Sequence, residues 1–193
     1  MPAAGAESDL NQPPRHRLPG DPAPAHEIAR MLRVDHAGEF GAVRIYDGQL
    51  AVLGPGGRAA AEIRRMAAAE ARHLAVFEAL LRERRVRPTL LQPLWSVTGY
   101  ALGAATALLG ERAAMACTVA VEEVIDDHYA AQAEYLAVED PSLEETVRAC
   151  HADEIAHRRT ALARGAEQAP GYELLTGAIR VGSRLAIWLS TRL

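Results

Sequence analysis

The segment MACTVAVEEVIDDHY, residues 115–129, places two adjacent carboxylates directly after a largely apolar run. A buried carboxylate is unfavourable unless it is paired with a base or binds a metal ion. Glu122 and Glu123 therefore need a partner, either a basic side chain such as Arg112 or a cation held by several carboxylates. The spacing of acidic residues and histidines along the rest of the chain distinguishes between these alternatives.

The composition indicates a helical protein with one hydrophobic core. The chain has 193 residues, of which 49% are hydrophobic and only 5% aromatic, so Ala, Leu and Val supply most of the apolar surface. This balance favours helices over sheets. The net charge of −4 argues against a nucleic-acid partner. The two cysteines, Cys117 and Cys150, form no CxxC motif and are predicted to be buried free thiols.

The first 25 residues, MPAAGAESDLNQPPRHRLPGDPAPA, differ from the rest of the chain. They are rich in Pro and show no apolar periodicity, which predicts a disordered tail over residues 1–25 and a single domain over residues 26–193. They lack the apolar region of a signal peptide, and their acidic residues argue against a mitochondrial transit peptide. We therefore expect a bacterial, cytoplasmic setting.

Apolar residues recur at helical spacing in six segments, which are separated by breaks rich in Gly and Pro. The predicted helices cover approximately residues 28–53, 58–85, 88–110, 111–138, 142–165 and 172–193. Ser142 and Glu145 are predicted to form a capping box for the fifth helix. No alternating strand pattern occurs, and the connections are short, so the sequence predicts an all-α bundle of antiparallel neighbours.

Two of these helices carry the same short motif, Glu-x-x-His. It occurs as Glu70 to His73 and again as Glu154 to His157. Residues three apart lie on one face of a helix, so each motif presents a carboxylate and an imidazole to the same point. One such motif arises easily by chance, whereas two copies are better evidence for a shared site.

A further glutamate precedes each motif at nearly equal distance. Glu39 lies 31 residues before Glu70, and Glu122 lies 32 residues before Glu154. A Glu from each of two helices, with a Glu-x-x-His from each of two others, is the ligand set of ferritin-like di-iron carboxylate bundles. The sequence therefore predicts a ferritin-like four-helix bundle with two additional apolar or amphipathic helices. Oxygen and imidazole ligands suit iron or manganese better than a structural zinc ion.

The choice between Glu122 and Glu123 depends on two signals that disagree. Spacing slightly favours Glu123, which lies 31 residues before Glu154, as in the first pair. Helical phase favours Glu122, whose face carries the bulky residues Met115, Val119, Ile125 and Tyr129. We assign Glu122 to the site, since adjacent helix positions point about 100° apart. The predicted metal ligands are therefore Glu39, Glu70, His73, Glu122, Glu154 and His157.

Several longer segments resemble one known family, the 3-demethoxyubiquinol 3-hydroxylases of ubiquinone biosynthesis. They are LRVDHAGEFGAVRIYDGQLAVLG (32–54), RVRPTLLQPLW (85–95), GAATALLGERAAMACTVAVEE (103–123) and the two Glu-x-x-His motifs. The resemblance covers about residues 28–193, and the di-iron ligands of the family match the six predicted here. It implies two iron ions, O2 as co-substrate and hydroxylation of the ring of a polyprenyl demethoxyquinol.

The resemblance also implies association with a membrane and with other ubiquinone-biosynthesis proteins, including a lipid-binding partner, and leaves a homo-oligomer open. No flavin or nicotinamide fingerprint occurs, so electrons are expected from an external reductant, with NADH as the candidate, or through the quinone. Asp35 and Asp126, each one turn from a ligand, are candidates to orient a ligand histidine. Tyr129 is a candidate to line the pocket.

Residues 88–110 contain no charged side chain, and this uncharged segment is long enough for one membrane span. A single span there would separate Glu39, Glu70 and His73 from the other three predicted ligands, which one di-iron site forbids. Four basic residues come just before this segment, and the last helix is amphipathic; the basic residues are Arg82, Arg84, Arg85 and Arg87. These features predict a monotopic protein on the cytoplasmic face of a bacterial inner membrane.

The alternative functions are those of a ferroxidase, a rubrerythrin-like peroxidase or a helical membrane adaptor.

Overall fold

The computed structural model describes residues 20–193, in which six α-helices and one short 3₁₀ helix are joined by short connections. The helices are α1 (Pro24–Leu53), α2 (Arg58–Glu83), α3 (Gln92–Leu108), α4 (Glu111–Glu139), α5 (Pro141–Ala163) and α6 (Tyr172–Ser190), with the 3₁₀ helix at Ala166–Gln168. No strand occurs among the described residues, which confirms the predicted all-α class. Residues 1–19 of the predicted tail lie outside this range, and Pro24 and Ala25 already belong to α1.

Four of the helices form the bundle as two hairpins. α1 packs against α2 and α4 packs against α5, and the hairpins meet through α1 with α4 and α2 with α5. Each hairpin carries one additional helix, because α3 lies along α1 and α6 lies along α4. The chain therefore repeats one arrangement twice: a long helix, its antiparallel partner and a third helix packed against the long one.

The bundle core consists of two separate apolar clusters. One cluster holds Tyr46, Ile63, Met66, Met115, Val119 and Ala161, and the other holds Leu32, Phe77, Tyr129, Leu136, Leu143 and Val147, among others. Along each of the four helices, the predicted metal ligands fall between a residue of one cluster and a residue of the other. The packing thus places a polar layer between two apolar layers.

Several helix boundaries differ by a few residues from the sequence-based expectation. α3 begins at Gln92 rather than at residue 88, with Pro93 in its first turn, where its missing amide is tolerated. The residues before it are held by the C-terminus, since the backbone N–H of Leu90 donates to the carbonyl of Leu193 at 3.1 Å. No helix within residues 20–193 combines the length and apolarity that a membrane crossing requires.

The start of α5 also differs, because the predicted capping box does not form its N-terminus. Asp140 is the N-cap, and its side chain accepts a hydrogen bond from the backbone N–H of Leu143 at 3.1 Å. Pro141 occupies the first helical position, which a proline ring favours. Ser142 therefore lies inside the helix.

Three glycines bring the backbones of α1 and α3 into direct contact. A Cβ atom on Gly103 would lie 1.9 Å from the carbonyl oxygen of Ile45, and one on Gly48 would lie 2.1 Å from that of Tyr100. A Cβ atom on Gly99 would lie 3.0 Å from the carbonyl oxygen of Gly41. Only a residue without a side chain fits at such distances, so these glycines fix the position of α3 on α1.

We predict that Gly103→Ala lowers the free energy of unfolding by about 2 kcal/mol or more, because the added methyl group meets backbone that cannot move aside cheaply. Gly177→Ala in α6 is the matched control, since a Cβ atom added there would have no neighbour within 4 Å. The control is expected to raise stability by about 0.5–1 kcal/mol through helix propensity. Chemical denaturation of both variants measures the difference, and equal stabilities would contradict the tight contact.

Candidate metal centre

The six predicted ligands meet in the polar layer of the bundle. Their donor atoms form two groups, in each of which all atoms lie within 4.8 Å of one another. One group contains Glu39, Glu70, His73 and Glu154, and the other contains Glu70, Glu122, Glu154 and His157. Glu70 and Glu154 belong to both groups, which is the arrangement expected of two carboxylates that bridge a pair of cations.

The imidazole rings present the same atom to the carboxylates in both groups. His73 Nδ1 lies 3.3 Å from Glu154 Oε1 and 3.5 Å from Glu39 Oε2. His157 Nδ1 lies 2.9 Å from Glu70 Oε1 and 3.4 Å from Glu154 Oε2. The two halves of the cluster are therefore related by an approximate twofold repeat.

Buried atoms without partners test whether a cation fits this cluster. All six residues are buried. Within the described residues, no aligned hydrogen bond engages Glu39 Oε2, Glu70 Oε1, His73 Nδ1, Glu122 Oε2, either oxygen of Glu154, or His157 Nδ1, although His157 Nδ1 and Glu70 Oε1 lie 2.9 Å apart. Buried polar atoms are almost always satisfied, so a set of convergent unsatisfied oxygen and nitrogen atoms fits a bound metal.

Electrostatics also indicates a cation. Burial raises the pKa of Glu39 and of Glu122 well above the usual value, because each carboxylate is removed from water and faces other acidic groups. Burial would lower the pKa of His157, but Glu154 and Glu70 raise it to about 9. Ionisation of all four carboxylates together would need more positive charge than two imidazolium ions carry, and divalent ions would supply it.

Glu39 of α1 and Glu122 of α4 each belong to only one of the two groups, and we call them the outer glutamates. Each accepts a hydrogen bond from a tyrosine of the other of these two helices. The hydroxyl of Tyr129 donates to Glu39 Oε1 at 2.5 Å, and the hydroxyl of Tyr46 donates to Glu122 Oε1 at 3.2 Å. Each tyrosine lies seven residues after the glutamate of its own helix. The sequence therefore contains the same Glu and Tyr spacing twice, which could have indicated both hydrogen bonds. The sequence predicted a role only for Tyr129, as a residue that lines the pocket.

Asp153 is a residue that the sequence analysis did not identify. Its Oδ2 atom lies 3.0 Å from Nε2 of His73, on the side of the ring away from the carboxylate cluster. A proton on Nε2 donated to Asp153 leaves Nδ1 free to bind a metal ion, which is how an outer carboxylate fixes a ligand histidine. Asp153 is adjacent to the ligand Glu154 in the chain, and adjacent helix positions point about 100° apart. Its position in the sequence therefore gives no indication that it contacts a ligand histidine.

The structure gives Asp35 and Asp126 other partners than a ligand histidine. Asp126 lies 2.5 Å from Nε2 of His151 and accepts from Arg158 at 2.7 Å. Asp35 Oδ1 accepts from the side-chain amide of Gln132 at 2.7 Å and lies 3.2 Å from His128 Nε2. The imidazoles of His128 and His151 are thus held by acids outside the two cation groups.

Glu123 lies outside both groups. Its side chain is 34% exposed and accepts from Arg180 of α6 at 2.7 Å, whereas Glu122 is 2% exposed and lies in the cluster. Helical phase was therefore a better guide than spacing. The partner of Glu123 is a base, and that of Glu122 is the carboxylate and histidine cluster.

An apolar cavity of about 500 Å³ reaches this cluster from the side of α3 and α6. Its walls include Trp95, Gly99 and Leu102 of α3 and Leu175, Ile179, Gly182, Ala186 and Ile187 of α6. Glu39 and Tyr129 also line it, and so do Asp35 and His128. A largely apolar ligand can therefore approach Glu39 with a few polar groups at hand.

Both cysteines are free and buried, as the sequence predicted. Cys150 lies close to the cluster, and its sulfur atom forms a third group with donor atoms of Glu39 and His73, again within 4.8 Å. Burial raises the pKa of its thiol to about 12. Cys117 lies elsewhere, packed with Ala120 and Ile179.

Comparison with known proteins gives a consistent set of relatives. The family profile described as "Ubiquinone biosynthesis protein COQ7" matches residues 26–190. A 3-demethoxyubiquinol 3-hydroxylase of Rhodospirillum rubrum is 56% identical over 176 residues, which cover 91% of this chain and 83% of the relative.

Mitochondrial proteins are similar to this chain as well. A human mitochondrial protein named NADPH-dependent 3-demethoxyubiquinone 3-hydroxylase is 49% identical over 170 residues, covering 86% of this chain and 78% of the relative. A mitochondrial 5-demethoxyubiquinone hydroxylase of Saccharomyces cerevisiae is 38% identical over 189 residues, covering 89% and 80%. Because the profile spans nearly all of the described residues and the identities are this high, the chain belongs to the COQ7 family of ubiquinone biosynthesis proteins.

Proposed function

We propose that this protein is a di-iron monooxygenase that hydroxylates the ring of a polyprenyl demethoxyquinol with O2 during ubiquinone biosynthesis. The observation that carries the proposal is the apolar cavity, which ends at Glu39 of the buried carboxylate and histidine cluster. The names of the relatives support the same reaction. A ferroxidase or a peroxidase would use the same cluster but has no need for an apolar cavity of this size.

In this proposal the cluster holds two iron ions. Glu39, Glu70, His73 and Glu154 would hold one ion, and Glu70, Glu122, Glu154 and His157 would hold the other. When bound, the iron ions supply the activation of O2. Asp153 keeps His73 in the tautomer that leaves Nδ1 available.

The tyrosines orient the outer ligands. Tyr129 donates to one oxygen of Glu39, and Tyr46 donates to one oxygen of Glu122. The second oxygen of each carboxylate is left for the cation. Burial raises the pKa of both hydroxyls well above the usual value, so each remains a hydrogen-bond donor. The apolar residues of the cavity exclude water from the reacting ring.

The cavity offers two kinds of contact to a demethoxyquinol. The small and apolar side chains of α3 and α6 suit the prenyl tail, and the polar groups beside Glu39 suit the ring hydroxyls. His128 lines the cavity with its Nε2 atom 3.2 Å from Asp35 Oδ1, and in this proposal its imidazole contacts a ring hydroxyl. In this proposal, these contacts hold the ring next to Glu39.

The reductant in this proposal is external, and a nicotinamide nucleotide is the candidate. NADH was the expectation from the sequence, and the human relative is named for NADPH. We also propose two protein contacts, one with a partner that delivers the lipid substrate and one with a second copy of the chain. An apolar outer surface next to the cavity would favour either contact.

We further propose that the protein binds the cytoplasmic face of a bacterial inner membrane through α3 and α6. The outer faces of these helices and the adjoining turns carry exposed apolar side chains, among them Leu90, Leu94, Val97, Leu108, Leu109, Leu174, Val181, Leu185 and Trp188. Both helices also form the cavity walls, so a lipid-facing position would let a long-tailed quinol enter directly. Arg82, Arg84, Arg85 and Arg87 precede α3 in the chain, where they can meet anionic headgroups.

The ligand assignment is tested with two adjacent glutamates. Glu122→Gln removes a charge from the buried cluster and is expected to lose iron, whereas Glu123→Gln removes only a partly exposed partner of Arg180 and is expected to retain two iron ions per chain. Iron is counted after anaerobic loading with Fe²⁺. Loss of iron from the Glu123 variant alone would show that the assignment is wrong.

The reaction is tested with isotope-labelled oxygen. Iron-loaded protein, a demethoxyquinol and a chemical reductant are incubated under ¹⁸O2, and mass spectrometry is expected to find one ¹⁸O atom in the hydroxylated ring. Glu122→Gln is expected to form no labelled product. Oxidation of iron or consumption of peroxide without ring hydroxylation would favour the ferroxidase or the peroxidase instead.

The membrane contact is tested by flotation with vesicles that contain anionic lipid. The double variant Val97→Glu with Val181→Glu places charges on the exposed faces of α3 and α6 and is expected to bind vesicles much more weakly. Val138→Glu is the control, since Val138 is equally exposed but lies near the end of α4. High salt should release the wild-type protein only in part, and detergent should release it fully. Equal effects of both charge changes would contradict the proposed surface.

A further inference from the structure

Cys150 brings a sulfur atom to the edge of the carboxylate and histidine cluster. It lies on α5 one helical turn before Glu154, so both side chains point into the bundle. Its Sγ atom, a carboxylate oxygen of Glu39 and a ring nitrogen of His73 all lie within 4.8 Å of one another. The proposed iron ligands and their tyrosine donors leave this thiol without a role.

The other two members of the group have atoms free to bind a ligand. Glu39 Oε2 and His73 Nδ1 are buried and have no hydrogen-bond partner within residues 20–193. The second atom of each side chain is already engaged, by Tyr129 for Glu39 and by Asp153 for His73. These contacts restrict the orientation of both side chains, and a donor atom of each lies within 4.8 Å of the sulfur.

The donor set of this group differs in kind from the two groups assigned to iron. Those contain three carboxylates and one imidazole each, a hard and oxygen-rich set. The third group offers one thiol, which a bound metal ion would deprotonate, together with one imidazole and one carboxylate. Soft sulfur ligands favour thiophilic ions such as Zn²⁺ and Cd²⁺, and three protein ligands with one open position are an ordinary zinc arrangement.

We propose that Glu39, His73 and Cys150 form a separate binding site for thiophilic divalent cations, which competes with iron for one half of the cluster. A cation at this site uses Glu39 and His73, so the iron ion that depends on them cannot bind at the same time. The zinc site itself does not depend on the proposed hydroxylase activity. Only the competition rests on the proposed function.

Zinc K-edge X-ray absorption of the zinc-loaded full chain tests the site directly. Metal-free protein receives one equivalent of Zn²⁺, and the wild type is expected to show one sulfur neighbour at about 2.3 Å. Cys150→Ser is expected to lose this sulfur neighbour. Cys117→Ser is the matched control, because Cys117 is equally a buried free thiol but lies outside the group, and it is expected to retain the neighbour.

Competition for the site is measured by dialysis against Fe²⁺ and Zn²⁺ together. Zinc is expected to lower the iron content of the wild type from two ions per chain to one. Cys150→Ser and Cys150→Ala are each expected to need at least about tenfold more zinc for the same loss of iron. Two substitutions guard against one that fails to fold, and circular dichroism verifies the helices. A zinc shell without sulfur in the wild type, or equal zinc sensitivity in the wild type and both variants, would overturn the proposal. Absence of ring hydroxylation would refute the proposed function and leave the zinc result unchanged.

Discussion

Four carboxylates enter one buried layer from four different helices, and their mutual repulsion constrains everything packed around them. Glu39, Glu70, Glu122 and Glu154 have almost no water to share their charge. Each outer glutamate receives a tyrosine hydroxyl, and two imidazoles lie among the four. The apolar clusters above and below the layer hold the helices together despite this repulsion, since hydrophobic burial is the dominant favourable contribution to folding.

The arrangement is legible in the sequence because it is local and repeated. A Glu-x-x-His motif needs only one helical turn, and the apolar residues that flank each glutamate identify its inward face without any knowledge of the partner helix. The same helix order occurs twice, so each half of the chain supports the interpretation of the other. This redundancy explains why the number and order of the helices, the bundle and the clustering of Glu122 rather than Glu123 could be predicted from the residues.

Contacts between different helices were less accessible. Periodicity shows which face of a helix is buried but not which residue of another helix it meets, so the pairing of Tyr46 with Glu122 required the structure. Asp153 was missed for a related reason: it lies on the polar side of α5, half exposed, and contacts only the outer edge of a ligand histidine. The cap of α5 was misassigned because Asp140 and Ser142 are both good capping residues, and Pro141 decides between them.

The two helices that line the cavity are attached in different ways. Gly48, Gly99 and Gly103 bring the backbone of α3 directly against the backbone of α1. α6 is joined to α4 partly by the flexible ion pairs of Arg180 with Glu123 and Arg184 with Asp127, which water weakens. The cavity therefore has one rigid wall and one adjustable wall. A displacement of α6 would widen the opening without disturbing the close contact between α3 and α1, the helix that carries Glu39.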